Sequence, residues 1–189
     1  MNKVKNPVVK SCRQPTPIVK LSNGCGAILI VSKGSVVVGL IDGADIELCS
    51  KYHFTCNNGG YIQGTISAPT RKGIKHPQQL LHRILLKPGK NFQCDHISGD
   101  KLDNRRSNLR VATSSSNNMN RCKRSDLHNL TSKYKGVHWS TRCNKWHARI
   151  QIDGHSKHLG TFSDELTAAK AYDNAASLFF GNYSRTNNV

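Results

Sequence analysis

The chain has 189 residues, enough for one or two domains with real cores, and its 28 Lys and Arg against 11 Asp and Glu give a formal charge of +17. A field of that size points to a polyanionic partner, with nucleic acid first and an anionic membrane surface second; a merely basic or ribosome-associated protein is the plain alternative. The longest apolar runs, residues 27–31 and 36–41, are far too short to cross a bilayer as helices, and the charged first residues lead into no apolar stretch, so neither a helical membrane protein nor a secretory signal is expected.

The charge is uneven. Residues 71–129 hold 13 basic and 4 acidic side chains, so chemistry on a polyanion is expected in the middle third. The seven cysteines (Cys12, Cys25, Cys49, Cys56, Cys94, Cys122 and Cys143) are scattered without a Cys-x-x-Cys pair, which supports neither a zinc ribbon nor a redox motif. A reduced, cytosolic setting fits them, nucleoid-associated if the partner is DNA and compatible with a phage-encoded protein acting in a bacterial host.

In chain order, residues 1–16 read as a poorly ordered arm. Residues 18–65 are short β-rich runs between turn residues. Strands over 27–31 and 35–41 flank the loop Ser32-Lys33-Gly34, and Asn57-Asn58-Gly59-Gly60 is a second turn before a strand at 61–65. This platform offers no chemical constellation of its own. Residues 77–86 predict a short helix with Leu80, Leu81, Ile84 and Leu85 on one stripe, ended by Lys87-Pro88-Gly89-Lys90.

The stretch DHISGDKLDNRRSNLRVATSSSNNMN, beginning at Asp95, is the most specific signal in the chain. Phosphodiester hydrolysis needs a hard cation to neutralise phosphate charge and a base to deprotonate water. Asp95 supplies a carboxylate and His96 an imidazole that titrates near neutrality. Neighbours on an extended strand point to opposite faces, which favours different roles for the two. Residues 100–104 predict an exposed loop, 109–112 a returning strand, and Thr113 a cap for a short helix over 114–120, with Asn117 on its second turn.

This segment resembles the ββα-metal core of HNH endonucleases, in the homing-type branch whose final His is Asn. The family positions match His96, Asn108 and Asn117. The resemblance implies His96 as general base, Asn108 as the residue holding the hairpin loop, and Asp95 with Asn117 as metal ligands. An oxygen-only donor set favours Mg²⁺ or Mn²⁺ over zinc. Arg105, Arg106, Arg110, Arg121, Lys123 and Arg124 flank the segment and are expected to grip backbone phosphates. Leu81-His82-Arg83 resembles the family's lead-in segment, without a role for His82.

After a polar linker over 121–132 comes a separate unit. A strand at 136–140 is followed by residues 145–152, where Trp146, Ala148, Ile150 and Ile152 alternate with His147, Arg149 and Gln151, and by a third strand at 155–160. Ser163 predicts an N-cap for a helix that places Ala168, Tyr172, Ala175 and Phe179 on one stripe and stops at Gly181. Through Tyr134-Lys135-Gly136-Val137, Lys145-Trp146-His147-Ala148, Leu159-Gly160-Thr161-Phe162 and Ala168-Ala169-Lys170-Ala171-Tyr172-Asp173 this unit resembles the Apetala-two/ethylene-response-factor DNA-binding domain. The resemblance implies a sheet laid in the major groove, with Lys135, His138, Ser140, Arg149, Gln151, His158 and Thr161 toward DNA; the alternation turns His147 away from the core as well, and Arg142 is expected to bind DNA beside them.

The expected fold is therefore α+β: a β-rich platform leading into a ββα-metal core over 17–120, then, at 133–189, a three-stranded antiparallel sheet packed on one helix. The expected function is a Mg²⁺- or Mn²⁺-dependent endonuclease of homing or mobile-element type acting on double-stranded DNA, as monomer or homodimer. The alternative is a non-catalytic, sequence-specific DNA-binding regulator built on a degenerate HNH fold.

Overall fold

A computed structural model describes residues 14–32, 34–67, 77–121, 123 and 130–189. The architecture is α+β, built from several small sheets and short helices. The chain divides into two compact units, residues 1–111 and 112–189. Most of the expected arm and most of the expected linker lie outside the described residues, as do Lys33, Cys12, Cys122 and Arg124.

The first unit opens with an antiparallel sheet of β1 (Ile18–Lys20), β2 (Gly26–Ser32) and β3 (Ser35–Ile41), in that order. Ser32 pairs with Ser35, so the hairpin loop has two residues rather than the three expected. A short helix, α1 (Ile46–Cys49), leads into a second sheet of β4 (Tyr52–Cys56), β5 (Ile62–Ile66) and β6 (Gln79–Leu80). The β4–β5 turn forms where the sequence predicts it: Asn57 Oδ1 accepts from the backbone N–H of Gly59 and of Tyr61, both at 3.0 Å. Gly39 lets the first sheet lie close to the second, because a Cβ there would strike the Ile62 side chain.

The helix expected over 77–86 is shorter. Gln79 and Leu80 pair with β5 as a strand, and α2 spans Leu81–Leu86. Lys87, at φ 47°, ends it in the left-handed region. Its stripe of Leu81, Ile84 and Leu85 joins Ile28, Ile30, Ile41, Phe54, Ile62 and Leu109 in one buried core. At about 1.5–3 kcal/mol for each fully buried large side chain, that cluster is the main favourable term of the unit. It backs the two-stranded sheet of β7 (Gln93–His96) and β8 (Leu109–Ala112).

In the second unit, α3 (Ser114–Met119) is capped by Thr113, whose Oγ1 accepts from the Ser116 N–H at 3.2 Å. The antiparallel sheet runs β9 (Val137–Ser140), β10 (Lys145–Ile152) and β11 (His155–Phe162), with β10 central. α4 (Glu165–Phe180) packs on it. The N-cap is Asp164 rather than Ser163: its Oδ2 accepts from the Thr167 N–H at 2.7 Å and from the Thr167 hydroxyl at 2.9 Å. The buried stripe of α4 is Ala168, Ala169, Tyr172, Ala175, Ala176 and Phe180, and Phe179, expected inside, is exposed. Small alanines bring the helix close enough that Gly136, at φ +76°, has no room for a Cβ between the Tyr172 ring and the Arg149 carbonyl.

Candidate active site and nucleic-acid interface

His96 ends β7 and is buried, and its Nε2 lies 3.2 Å from Asn104 Oδ1. The His82 ring stands edge-on to it at 5.2 Å between centroids, and Tyr61 closes the third side at 6.0 Å. Burial pushes the His96 imidazole below its ordinary pKa; the hydrogen bond to Asn104 and the charges of Asp95, Asp100 and Asp103 pull the other way. His82 is lowered to about 4, first by burial and then by the charges of His96 and Arg83. His82 is therefore neutral at neutral pH.

Asp95, one residue earlier, is also buried, and it is paired. Arg110, from the neighbouring strand β8, donates to Asp95 Oδ2 through Nε at 2.8 Å and Nη2 at 2.6 Å.

The loop between β7 and β8 is held by side-chain and backbone hydrogen bonds, with Asn108 at their centre. Asn108 Oδ1 accepts from the Ser98 N–H at 2.9 Å, and its Nδ2 donates to the carbonyls of Asp103 at 2.8 Å and Asp100 at 3.4 Å. Asp100 Oδ1 accepts from the Leu102 N–H at 3.0 Å. The loop is then stitched to the platform: the Leu40 N–H donates to the Leu102 carbonyl at 2.9 Å, and the Asn104 N–H donates to the Leu40 carbonyl at 2.8 Å. Lys101 bonds the Gly59 carbonyl at 2.7 Å and sits 4.7 Å over the Tyr61 ring.

The arginines of this region are engaged within the unit. Arg105 makes two bonds to Asp103, and Arg106 makes two to Asp45 while its backbone N–H donates to Asp42 Oδ2. In the second unit, Asn117 and Arg121 lie on and just after α3, with Arg121 Nη1 3.5 Å from Asn118 Oδ1. Lys123 donates to the carbonyls of Tyr134 and Val137, and Lys135 to that of Met119. The structure therefore turns the ammonium groups of these two lysines inward, onto the backbone.

His138, Ser140, His147, Arg149, Gln151, His158 and Thr161 share the open face of the sheet. The strand registers place His138 opposite His147, His147 opposite Thr161, and Arg149 opposite His158. The His147 ring is 5.4 Å from His138 and 5.1 Å from His158. Arg149 Nη2 lies 2.7 Å from His138 Nε2, and Cys143 Sγ lies 3.1 Å from His147 Nε2. Arg142 is exposed in the turn between β9 and β10. No Asp or Glu occupies an outward position of the three strands, so the face presents mainly donors and latent positive charge.

Asn104, His82 and Tyr61 are the residues around His96 that sequence reasoning did not assign. His82 carried a signal in its motif. Asn104 carried none, because an asparagine after Asp103 in an exposed loop is ordinary turn chemistry.

Residues 87–119 match the HNH endonuclease family model. On that match the chain is a nuclease enzyme. A protein of Acanthamoeba polyphaga mimivirus named as an uncharacterized HNH endonuclease is similar at 28% identity over 148 residues, covering 75% of this chain and 70% of the viral protein. The HNH match begins at Lys87, just after α2, and ends within α3, so it contains Asp95, His96, Asn104, Asn108, Arg110 and Asn117. Among the described residues no group of three or more His, Cys, Asp or Glu is arranged to hold a metal ion, and no helix is long and apolar enough to cross a membrane.

Proposed function

We propose that the chain is a Mg²⁺- or Mn²⁺-dependent DNA endonuclease of homing or mobile-element type. It cuts at a ββα-metal centre around His96, and the Apetala-two-like sheet of residues 133–189 binds double-stranded DNA. The observation that carries this reading is a buried imidazole beside a buried carboxylate within the segment that matches HNH endonucleases.

His96 is the general base. It takes a proton from water as the water oxygen attacks phosphorus and the bond to the leaving ribose oxygen breaks. Burial of His96 beside the rings of His82 and Tyr61 favours the neutral imidazole that a base requires. Asn108 keeps the loop over the site closed, so that His96 does not swing away from the scissile phosphate. The donor set fits a hard cation: a carboxylate from Asp95 and an amide oxygen from Asn117 are oxygen donors, and Arg110 orients the Asp95 carboxylate through Oδ2. When bound there, the ion supplies charge neutralisation at the phosphate. Specific binding comes from the carboxylate-free sheet face, where Arg149 and Gln151 are the side chains suited to base edges in the major groove.

The test is plasmid nicking by the full chain with Mg²⁺ or Mn²⁺ against an EDTA control, in wild type and His96→Ala. Metal-dependent cutting that disappears in His96→Ala, with DNA affinity nearly intact, is the expected result. Sequence-specific binding without any cutting would instead identify a DNA-binding regulator on a degenerate nuclease fold.

A further inference from the structure

We infer that Asn104 is the positioning residue of the catalytic base, fixing the His96 tautomer so that Nε2 carries the proton and Nδ1 is the nitrogen that receives one from water. The inference deepens the nuclease reading and rests on it for the role of His96, but the tautomer itself follows from this loop alone.

The argument starts at the amide of Asn104. Its two ends cannot be exchanged freely, because Nδ2 lies 3.2 Å from the Lys101 carbonyl and 3.2 Å from the Leu102 carbonyl. Carbonyl oxygens only accept, so the end that faces two of them must be the NH₂ group; the flipped amide would set three acceptors against one another in a buried place. Asn104 is 1% exposed. With Nδ2 committed, Oδ1 is the atom 3.2 Å from His96 Nε2, and an amide oxygen also only accepts. A hydrogen bond there requires His96 Nε2 to donate. In the neutral imidazole the proton is then on Nε2, and the lone pair is on Nδ1.

Asn104 is itself held from below. Its N–H donates to the Leu40 carbonyl, and the Leu40 N–H takes the Leu102 carbonyl, so the edge of β3 sets the height of the loop. The chain of control runs from β3 through Asn104 to the imidazole. When Nδ1 accepts the proton of the attacking water, the O–H electron pair becomes available to form the new bond to phosphorus. The imidazolium that results still points Nε2–H at Asn104 Oδ1, which stabilises the added charge. Asn104 touches neither water nor phosphate in this scheme and acts only through His96.

The experiment uses the full chain, ¹⁵N-labelled at histidine, without added metal and above the titration range of imidazole. Long-range ¹H–¹⁵N correlation should assign His96 as an Nε2–H tautomer with a slowly exchanging ring proton. In Asn104→Leu, close in shape but without an acceptor, that proton should lose its protection. In cleavage assays kcat should fall about 10–100-fold with KM unchanged, the size expected for loss of an orienting partner. A wild-type His96 protonated on Nδ1 overturns the inference even if the leucine variant does not fold, as does a folded Asn104→Leu enzyme with wild-type kcat. Wild-type cutting by His96→Ala would remove the base assignment instead, while the tautomer result would stand.

Discussion

Arg110 and Asp95 form a buried pair in which two guanidinium nitrogens converge on a single carboxylate oxygen, at 2.8 and 2.6 Å. The pair joins β8 to β7 at the residue before His96. Arg110 is thereby committed to shaping the centre.

Removing Arg110 takes a guanidinium partner away from the buried Asp95 carboxylate. Arg110→Ala is expected to cost about 3–5 kcal/mol in urea unfolding measured in EDTA. Asp95→Asn combined with Arg110→Ala should cost clearly less than the sum of the singles, because the carboxylate charge is gone. Additive losses would show that the two groups do not interact.

His82 makes stability depend on acid. Its folded pKa of about 4 lies below the ordinary 6.5, so the unfolded chain binds the proton first as pH falls. Stability is full above pH 6.5 and is lost progressively down to about 4, by about 3 kcal/mol from this group. His82→Phe, which cannot titrate, should flatten that slope in denaturant titrations across the window. An unchanged slope would place the acid sensitivity elsewhere.

The sheet face should bind DNA through a salt-dependent, phosphate-directed attraction, since its three strands carry basic side chains and no carboxylate. His138 is held below its ordinary pKa by burial and by the charges of Arg149, His147, Lys123 and His158. Fluorescence anisotropy across a salt series should show affinity falling steeply as salt rises, and a salt-independent affinity would count against a phosphate-directed face. Arg149→Ala should weaken specific binding by about 1–3 kcal/mol. Lys135→Ala should instead lower stability, because its ammonium is bonded to the Met119 carbonyl.

Gly136→Ala should destabilise the second unit by more than about 2 kcal/mol, since it combines a strained φ with a steric conflict. The φ of +76° disfavours any side chain, and the new Cβ would lie 2.6 Å from the Arg149 carbonyl, a backbone atom that cannot rotate aside. Thermal unfolding that leaves the first unit's transition in place would locate the effect.

Much of this molecule was legible because its signals are side chains at fixed spacing. The alternation from Trp146 to Ile152, the turn at Asn57 and the Thr113 cap all appear where the sequence predicts them. The misplacements occur where two neighbours are chemically equivalent. Ser163 and Asp164 both cap, Phe179 and Phe180 are both apolar, and Leu80 suits a strand end as well as a helix start. The anchoring of the loop by Leu40 was illegible for a different reason: it is made by backbone groups, which every residue but proline carries.

That anchoring sets the size of the smallest transplantable cutter. The segment recognisable by homology is 33 residues long, 87–119, yet the ribbon edge that levels its loop comes from Leu40, well outside that segment. A graft of the recognisable stretch into another scaffold would bring the reactive imidazole without the ledge it rests on. Whoever moves this chemistry must move β3 with it.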